Sequence, residues 1–174
     1  MPEHPGFEFR QIHGRSMVQL RVRPGFADAA CQTLQLPRQP LRWRGEDPSA
    51  HWLGPDQWLL TSDAKPAGDI LRHIDITLSG NLHAATDMSS GYVCFALSGP
   101  AARMMLAMGC GIDMHKSAFR TGHCTRTHFA NVLLFIVAVG EENFDLYVDR
   151  SLAGYLHDWL LNAGEDPLCS HPWT

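Results

Sequence analysis

A pattern of strand, turn and helix occurs four times along these 174 residues, and it limits the folds open to the chain more than any other feature. In the first unit Val18, Leu20 and Val22 alternate with polar residues, which is typical of a strand with one buried face. Each strand leads through a turn into a segment with helical spacing of apolar residues. Helices with one apolar face can each cover one side of a sheet. The pattern therefore predicts an α+β fold with two antiparallel sheets.

Apolar stripes predict which face of each helix is buried. The stripes are Ala67, Ile70, Leu71 and Ile74 in the second unit, Ala101, Met104, Met105 and Met108 in the third, and Leu152, Tyr155, Leu156, Trp159 and Leu160 in the fourth. Gly109 is predicted to end the third helix in the left-handed conformation, and Ser151 to cap the fourth helix.

The second half of the chain resembles a duplicate of the first, because matching turns and strands recur in the same order. We therefore predict one domain over residues 1–174, made of two pseudo-repeated halves at about 16–80 and 81–164. Residues 165–174 are predicted to form a poorly ordered tail.

Composition argues against two classes of partner. The formal charge is −4 and basic residues do not cluster, so the charge needed to neutralise nucleic-acid phosphates is missing. The longest apolar run, VLLFIVAV at 132–139, is far shorter than the roughly 20 residues that cross a bilayer, and it predicts a buried strand. The opening MPEHPGFEFR has no pattern of a secretory signal, so a cytoplasmic location is expected.

No motif in the sequence predicts chemistry of its own. The ten histidines are scattered, and the densest group, His123, Cys124 and His128, does not have the spacing of a metal site on one strand face. Gly109 and Gly111 follow a helix, whereas a dinucleotide-binding loop precedes one. We therefore predict no metal, no cofactor and no catalytic residue in this chain.

Four blocks of sequence carry a resemblance to a known family. They are the strand 17–23, WLGPDQWLL at 52–60, ATDMSSGYVCFALSGPAARMMLAMGCGID at 85–113, and FDLYV at 144–148 followed by Arg150 and Ser151. In this order they resemble the gamma subunit of heterotetrameric sarcosine oxidase, over roughly residues 7–163. More distantly, the chain is similar to the folate-binding T-protein of the glycine cleavage system.

The resemblance implies a T-protein-like fold with ferredoxin-like halves and a non-catalytic role in an oxidoreductase complex. Such a complex oxidatively demethylates sarcosine or a related N-methyl amine and passes the one-carbon unit to tetrahydrofolate. The partners implied are a large alpha subunit with beta and delta subunits. FAD, FMN, NAD and tetrahydrofolate are expected in those other subunits.

The resemblance also singles out two polar positions. Asp87 precedes the strand that follows Gly91, where the wider fold places its ligand channel; the alternative is a carboxylate that fixes the turn. Asn131 stands where folate enzymes of this fold carry an aspartate, and an amide is no acid or base near neutral pH. A free-standing folate-dependent one-carbon transferase, or a folate-binding module lined by Asp87, remains the alternative function.

Two tryptophans are candidates for contact with a partner. Trp52 and Trp58 flank the turn Gly54-Pro55-Asp56, so one of the two rings could be exposed for another subunit. The alternative is that both rings pack in the core. The sequence favours neither.

Overall fold

The computed structural model describes residues 6–164, in which strands and helices alternate. The strands are β1 (Glu8–Ile12), β2 (Ser16–Val22), β3 (Trp43–Arg44), β4 (Ser49–Gly54), β5 (Gln57–Ser62), β6 (His83–Asp87), β7 (Tyr92–Ser98), β8 (Cys124–Phe129), β9 (Val132–Ala138) and β10 (Asn143–Asp149). The helices are α1 (Ala27–Thr33), α2 (Ala67–Thr77), α3 (Ala102–Gly109) and α4 (Ala153–Gly164), with a 3-10 turn at Arg150–Leu152 before α4. None of these helices is long and apolar enough to cross a membrane.

Residues 13–92 form one compact unit. Its sheet has the strand order β3-β4-β5-β2-β6, and each neighbouring pair is antiparallel. Buried and more exposed residues alternate along most of β2, as expected for a strand with one buried face: Leu20 is fully buried, whereas Arg21 is exposed. Leu20 belongs to one apolar cluster with Ile70 and Ile74 of α2, so α2 covers this face of the sheet.

The described residues before 13 and after 92 form the second unit. Its sheet has the order β1-β7-β10-β9-β8, in which β1 pairs antiparallel with β7, and β9 with β10 and β8. Leu106 of α3 and Leu156 of α4 are fully buried in one cluster with Leu134 and Leu146 of the sheet. The predicted α+β class with two antiparallel sheets is confirmed. The duplication of residues 16–80 in 81–164 stays a prediction, and the predicted tail at 165–174 lies outside the described residues.

The predicted face of α3 is rotated relative to the structure. Its fully buried side chains are Ala102, Met105 and Leu106, while Met108 is 43% exposed. Successive helix residues are about 100° apart around the axis, so a shift of one position turns the stripe away from the core. In α4, Leu156 and Leu160 are buried as predicted, whereas Tyr155 is 40% exposed.

The predicted roles of two helix-end residues are also wrong. Gly109 is the last residue of α3 and does not have a positive φ; it is required because an added Cβ would lie 2.4 Å from the Phe129 ring. Ser151 is not the capping acceptor before α4. The carboxylate of Asp149 instead accepts the Ser151 hydroxyl and the Ser151 N–H, and these two bonds lower the pKa of Asp149.

The turn between β7 and α3 depends on Gly99. This residue has φ +120°, a conformation that side chains rarely adopt, and an added Cβ would lie 2.8 Å from the Gly6 oxygen and from the Phe7 Cα. The close approach allows a hydrogen bond, in which the Gly6 carbonyl accepts the Ala101 N–H at 2.7 Å. The Ser98-Gly99-Pro100 turn thus joins the chain before β1 to the start of α3.

Candidate functional site

Asp87 ends β6 on the surface of the first unit, where its carboxylate fixes a turn. Its Oδ1 accepts the Ser89 N–H at 2.9 Å and the Ser89 hydroxyl at 2.6 Å. The side chain is exposed. Of the two interpretations that the sequence left open, these contacts are those of the turn-fixing carboxylate.

Asn131 belongs to the second unit, in the tight turn between β8 and β9. Ala130 before it has φ +49°, and the exposed Asn131 amide donates to the Tyr155 hydroxyl at 3.1 Å. Asp87 and Asn131 therefore lie in different units of the chain. Both side chains are exposed.

The two tryptophans have different environments, although they face each other as paired residues of β4 and β5. Trp58 is only 2% exposed, and its indole Nε1 donates to the Pro37 oxygen at 3.0 Å. Trp58 is therefore a core residue, and the idea that its ring is exposed for a partner is wrong. Trp52 is half-buried at the edge of the same cluster and stays a candidate for partner contact.

A group of polar side chains, buried at His51 and Thr61 and half-buried at Ser49, lies on the other face of the β4–β5 hairpin. His51 Nε2 lies 3.0 Å from the Ser49 hydroxyl and 3.1 Å from the Thr61 hydroxyl, and the two hydroxyls are 2.9 Å apart. Ser49 and His51 share a face because strand side chains alternate, and the register places Thr61 opposite Ser49. We call these three residues the histidine triangle.

His51 is the buried centre of the histidine triangle, and its burial sets its protonation state. His51 is 2% exposed, and burial, with a smaller contribution from the charge of Arg15, lowers its pKa to about 3. The ring is thus neutral at physiological pH and joined to two hydroxyls. A neutral imidazole with so little access to solvent can hold the two strands together, but a substrate in solution cannot reach it.

Little in the sequence indicates the histidine triangle. Ser49 and His51 have the two-residue spacing of one strand face, but a spacing of two is too common to single them out. The position of Thr61 depends on the pairing register, which the hairpin turn fixes and a sequence pattern does not state.

In the second unit, Arg103 donates hydrogen bonds to three backbone carbonyl groups. Its Nε donates to the Glu141 oxygen, and its Nη1 donates to the Met114 and Phe119 oxygens, each at 2.8 Å. The guanidinium also lies 5.0 Å from the centre of the Phe144 ring. These contacts attach the loop after α3 to the β9–β10 hairpin. Within residues 6–164, no three His, Cys, Asp or Glu side chains are grouped to hold a metal ion.

The burial of His51 predicts that stability depends on acid pH. Below about pH 6.5 an unfolded histidine binds a proton, whereas folded His51 stays neutral until about pH 3, so stability present above pH 6.5 is lost as pH falls. We expect the His51→Gln variant to lose roughly 3 kcal/mol less than the parent between pH 7 and pH 4. Urea unfolding at each pH measures this difference. If both proteins lost the same stability between pH 7 and pH 4, His51 would not be the source of the pH dependence.

The two sheets, each with helices on one face, place the chain in a fold class that includes a known enzyme. The crystal structure of glycine cleavage system aminomethyltransferase T from Bartonella henselae superposes with a TM-score of 0.68, at 15% identity, covering 91% of this chain and 46% of that one. This likeness concerns the fold alone, and it confirms the predicted similarity to the T-protein.

The chain belongs to the sarcosine oxidase, gamma subunit family, which matches residues 20–166. Sarcosine oxidase subunit gamma of Corynebacterium sp. (strain U-96) is 29% identical over 160 residues, covering 88% of this chain and 77% of that protein. The Arthrobacter sp. subunit is 28% identical over 160 residues, covering 88% and 78%. A chain of the heterotetrameric sarcosine oxidase from Corynebacterium sp. U-96, in complex with pyrrole 2-carboxylate, has a TM-score of 0.86 at 23% identity, covering 99% and 90%. The family predicted from the sequence blocks is confirmed.

Proposed function

We propose that this chain is the non-catalytic small subunit of a cytoplasmic heterotetramer of the sarcosine oxidase type. The assembled enzyme oxidatively demethylates sarcosine or a related N-methyl amine and passes the one-carbon unit to tetrahydrofolate. The alpha, beta and delta subunits hold FAD, FMN, NAD and tetrahydrofolate. The role of this chain is to bind and stabilise the large alpha subunit.

The family match over residues 20–166 is the observation that carries this proposal. The contacts of Asp87 and Asn131 support it. Asp87 is engaged by Ser89 in a turn, and the Asn131 amide is joined to Tyr155, so both side chains have structural contacts that need no ligand. His51, the group with the most perturbed pKa, is enclosed and neutral.

Steady-state assays with and without the other subunits test the proposal. The isolated chain should neither oxidise sarcosine nor transfer a one-carbon unit to tetrahydrofolate, and it should co-elute with the alpha, beta and delta subunits in gel filtration. The Asp87→Ala and Asn131→Ala variants should leave the turnover of the tetramer within about twofold of the parent, as expected for surface substitutions.

Two outcomes would reject the proposal. Failure to co-elute with the large subunits would remove the structural role. Turnover by the chain alone, abolished by Asp87→Ala or Asn131→Ala, would instead establish the free-standing transferase.

A further inference from the structure

Within residues 6–164, strand β6 is an edge strand, because β2 is its only neighbour in the sheet order. At the two ends of this pairing, Arg23 donates its N–H to the Leu82 oxygen and Met88 donates its N–H to the Met17 oxygen. Antiparallel partners alternate between bonded and non-bonded pairs, so even-numbered residues of β6 bond to β2. The backbone groups of the odd-numbered residues, His83, Ala85 and Asp87, therefore face outward.

Two large apolar side chains flank the start of this edge. Ile76 of α2 is 70% exposed and Leu82 is 69% exposed, the highest values among the large apolar residues that the structure describes. Asp75 and His83, their chain neighbours, are joined by a 3.0 Å contact between Asp75 Oδ1 and His83 Nε2. The contact joins the chain neighbours of Ile76 and Leu82, so both exposed side chains belong to the corner of the unit where β6 begins.

Two arginines lie on the face of the sheet next to β6. Arg21 is directly opposite Ala84 in the ladder, and Arg23 is one bonded pair further along, opposite Leu82. Both side chains are exposed, and neither makes an ion pair with a residue of the described chain. The sheet edge thus combines backbone hydrogen-bonding groups, an apolar corner and positive charge.

The other edges of the sheets are less suited to pairing with a second chain. β8 carries Arg126 and His128, and β1 carries Glu8 and Arg10, exposed charged or polar residues of the kind that blunt an edge. The fourth edge strand, β3, is only two residues long. By contrast, β6 has no Lys, Arg or Pro. Its two ionisable residues, His83 and Asp87, are the first and last of the strand, so the interior of β6 carries no charged side chain that would prevent another strand from pairing with it.

We propose that the β6 edge is the docking site for an extended acidic segment of a partner subunit, which adds a strand to the sheet beside β6. Backbone groups of that segment would bond to those of the outward-facing residues. Its apolar side chains would cover Ile76 and Leu82, and its carboxylates would pair with Arg21 and Arg23.

The charges favour this partner over a second copy of the chain. A second copy would bring the same two arginines to the interface, and the nearest carboxylate on its own β6, Asp87, already accepts two hydrogen bonds from Ser89. The proposal rests on the proposed function, because the partner is one of the other subunits of the tetramer.

Hydrogen–deuterium exchange of the chain, alone and in the reconstituted tetramer, tests the docking site. The amides of His83, Ala85 and Asp87 should exchange at least about tenfold more slowly in the tetramer, because the added strand would accept hydrogen bonds from them. The amides of Ala84 and Thr86 already bond to β2 and should change little. A tetramer that forms with unchanged exchange over His83–Asp87 would overturn the docking site and leave the proposed function intact. No tetramer at all would overturn both.

Two proline variants distinguish docking from a general loss of structure. Ala85→Pro removes an outward N–H without removing a bond to β2, and should weaken binding of the large subunits about tenfold or more. Arg126→Pro removes an outward N–H from β8, an edge strand of the other unit, and should leave binding within about twofold. Equal weakening by both variants, or none by Ala85→Pro, would contradict the assignment.

Charge reversal tests the chemistry of the partner. Arg21→Glu combined with Arg23→Glu should weaken binding and reverse its dependence on salt, so that added salt strengthens the residual binding. Binding unaffected by the double variant would reject the acidic segment. Protection of the β6 amides in the isolated chain, together with a dimer in sedimentation, would identify the occupant as a second copy and overturn the proposal.

Discussion

Replacing Gly99 with alanine should destabilise the isolated chain by about 4 kcal/mol. Two costs add at this position. A φ of +120° is rarely adopted by a residue with a side chain, and the new Cβ would lie 2.8 Å from the backbone of Gly6 and Phe7. Backbone atoms cannot rotate away as a side chain does, so the turn itself would have to move. That movement would also disturb the bond from the Ala101 N–H to the Gly6 oxygen.

Gly111→Ala is the matched control for this experiment. Gly111 does not have a positive φ, and nothing lies within 4 Å of the position of its missing Cβ. We expect it to change stability by no more than about 0.5 kcal/mol. Urea unfolding of both variants measures the difference. Similar midpoints for Gly99→Ala and the parent would show that the Ser98-Gly99-Pro100 turn tolerates a side chain.

Regular periodicity made much of the fold predictable. Val18, Leu20 and Val22 predicted a half-buried strand, and all three are buried in β2; Ile70 and Ile74 predicted the buried face of α2. These patterns are local, so no knowledge of tertiary packing is needed to interpret them. The face of α3 was less predictable because it is set by contact with distant residues. For example, the Phe129 ring occupies the space where a side chain at position 109 would lie, and Phe129 is twenty residues further along the chain.

The histidine triangle and the β6 edge both depend on strand pairing. The histidine triangle joins Ser49 and His51 to Thr61 only when β4 and β5 pair in the observed register. The β6 edge is open because β6 is last in the strand order, a property that no segment of sequence contains. Family resemblance therefore indicated what the chain belongs to, while pairing determined which of its groups are enclosed and which are available.

Trp58→Ala should destabilise the chain by about 3 to 5 kcal/mol, as expected when a large buried aromatic side chain is removed. The ring is 2% exposed and packs in the cluster that joins β2 and α2, so its loss leaves a cavity between sheet and helix. A second cost comes from Pro37, whose carbonyl oxygen accepts the indole N–H at 3.0 Å and would lose that partner.

Two further variants separate these costs from a role in assembly. Trp58→Phe keeps most of the apolar volume but removes the indole N–H donor. It should therefore lower the free energy of unfolding less than Trp58→Ala does, and the difference between the two variants measures the cost of the cavity. Trp52→Ala, at a half-buried position, should cost less stability than Trp58→Ala. If Trp52 contacts the large subunit, that variant should weaken assembly more than it lowers the urea midpoint. If Trp58→Ala unfolds at the parent's midpoint, the ring does not belong to the core, and the distinction between the two tryptophans fails.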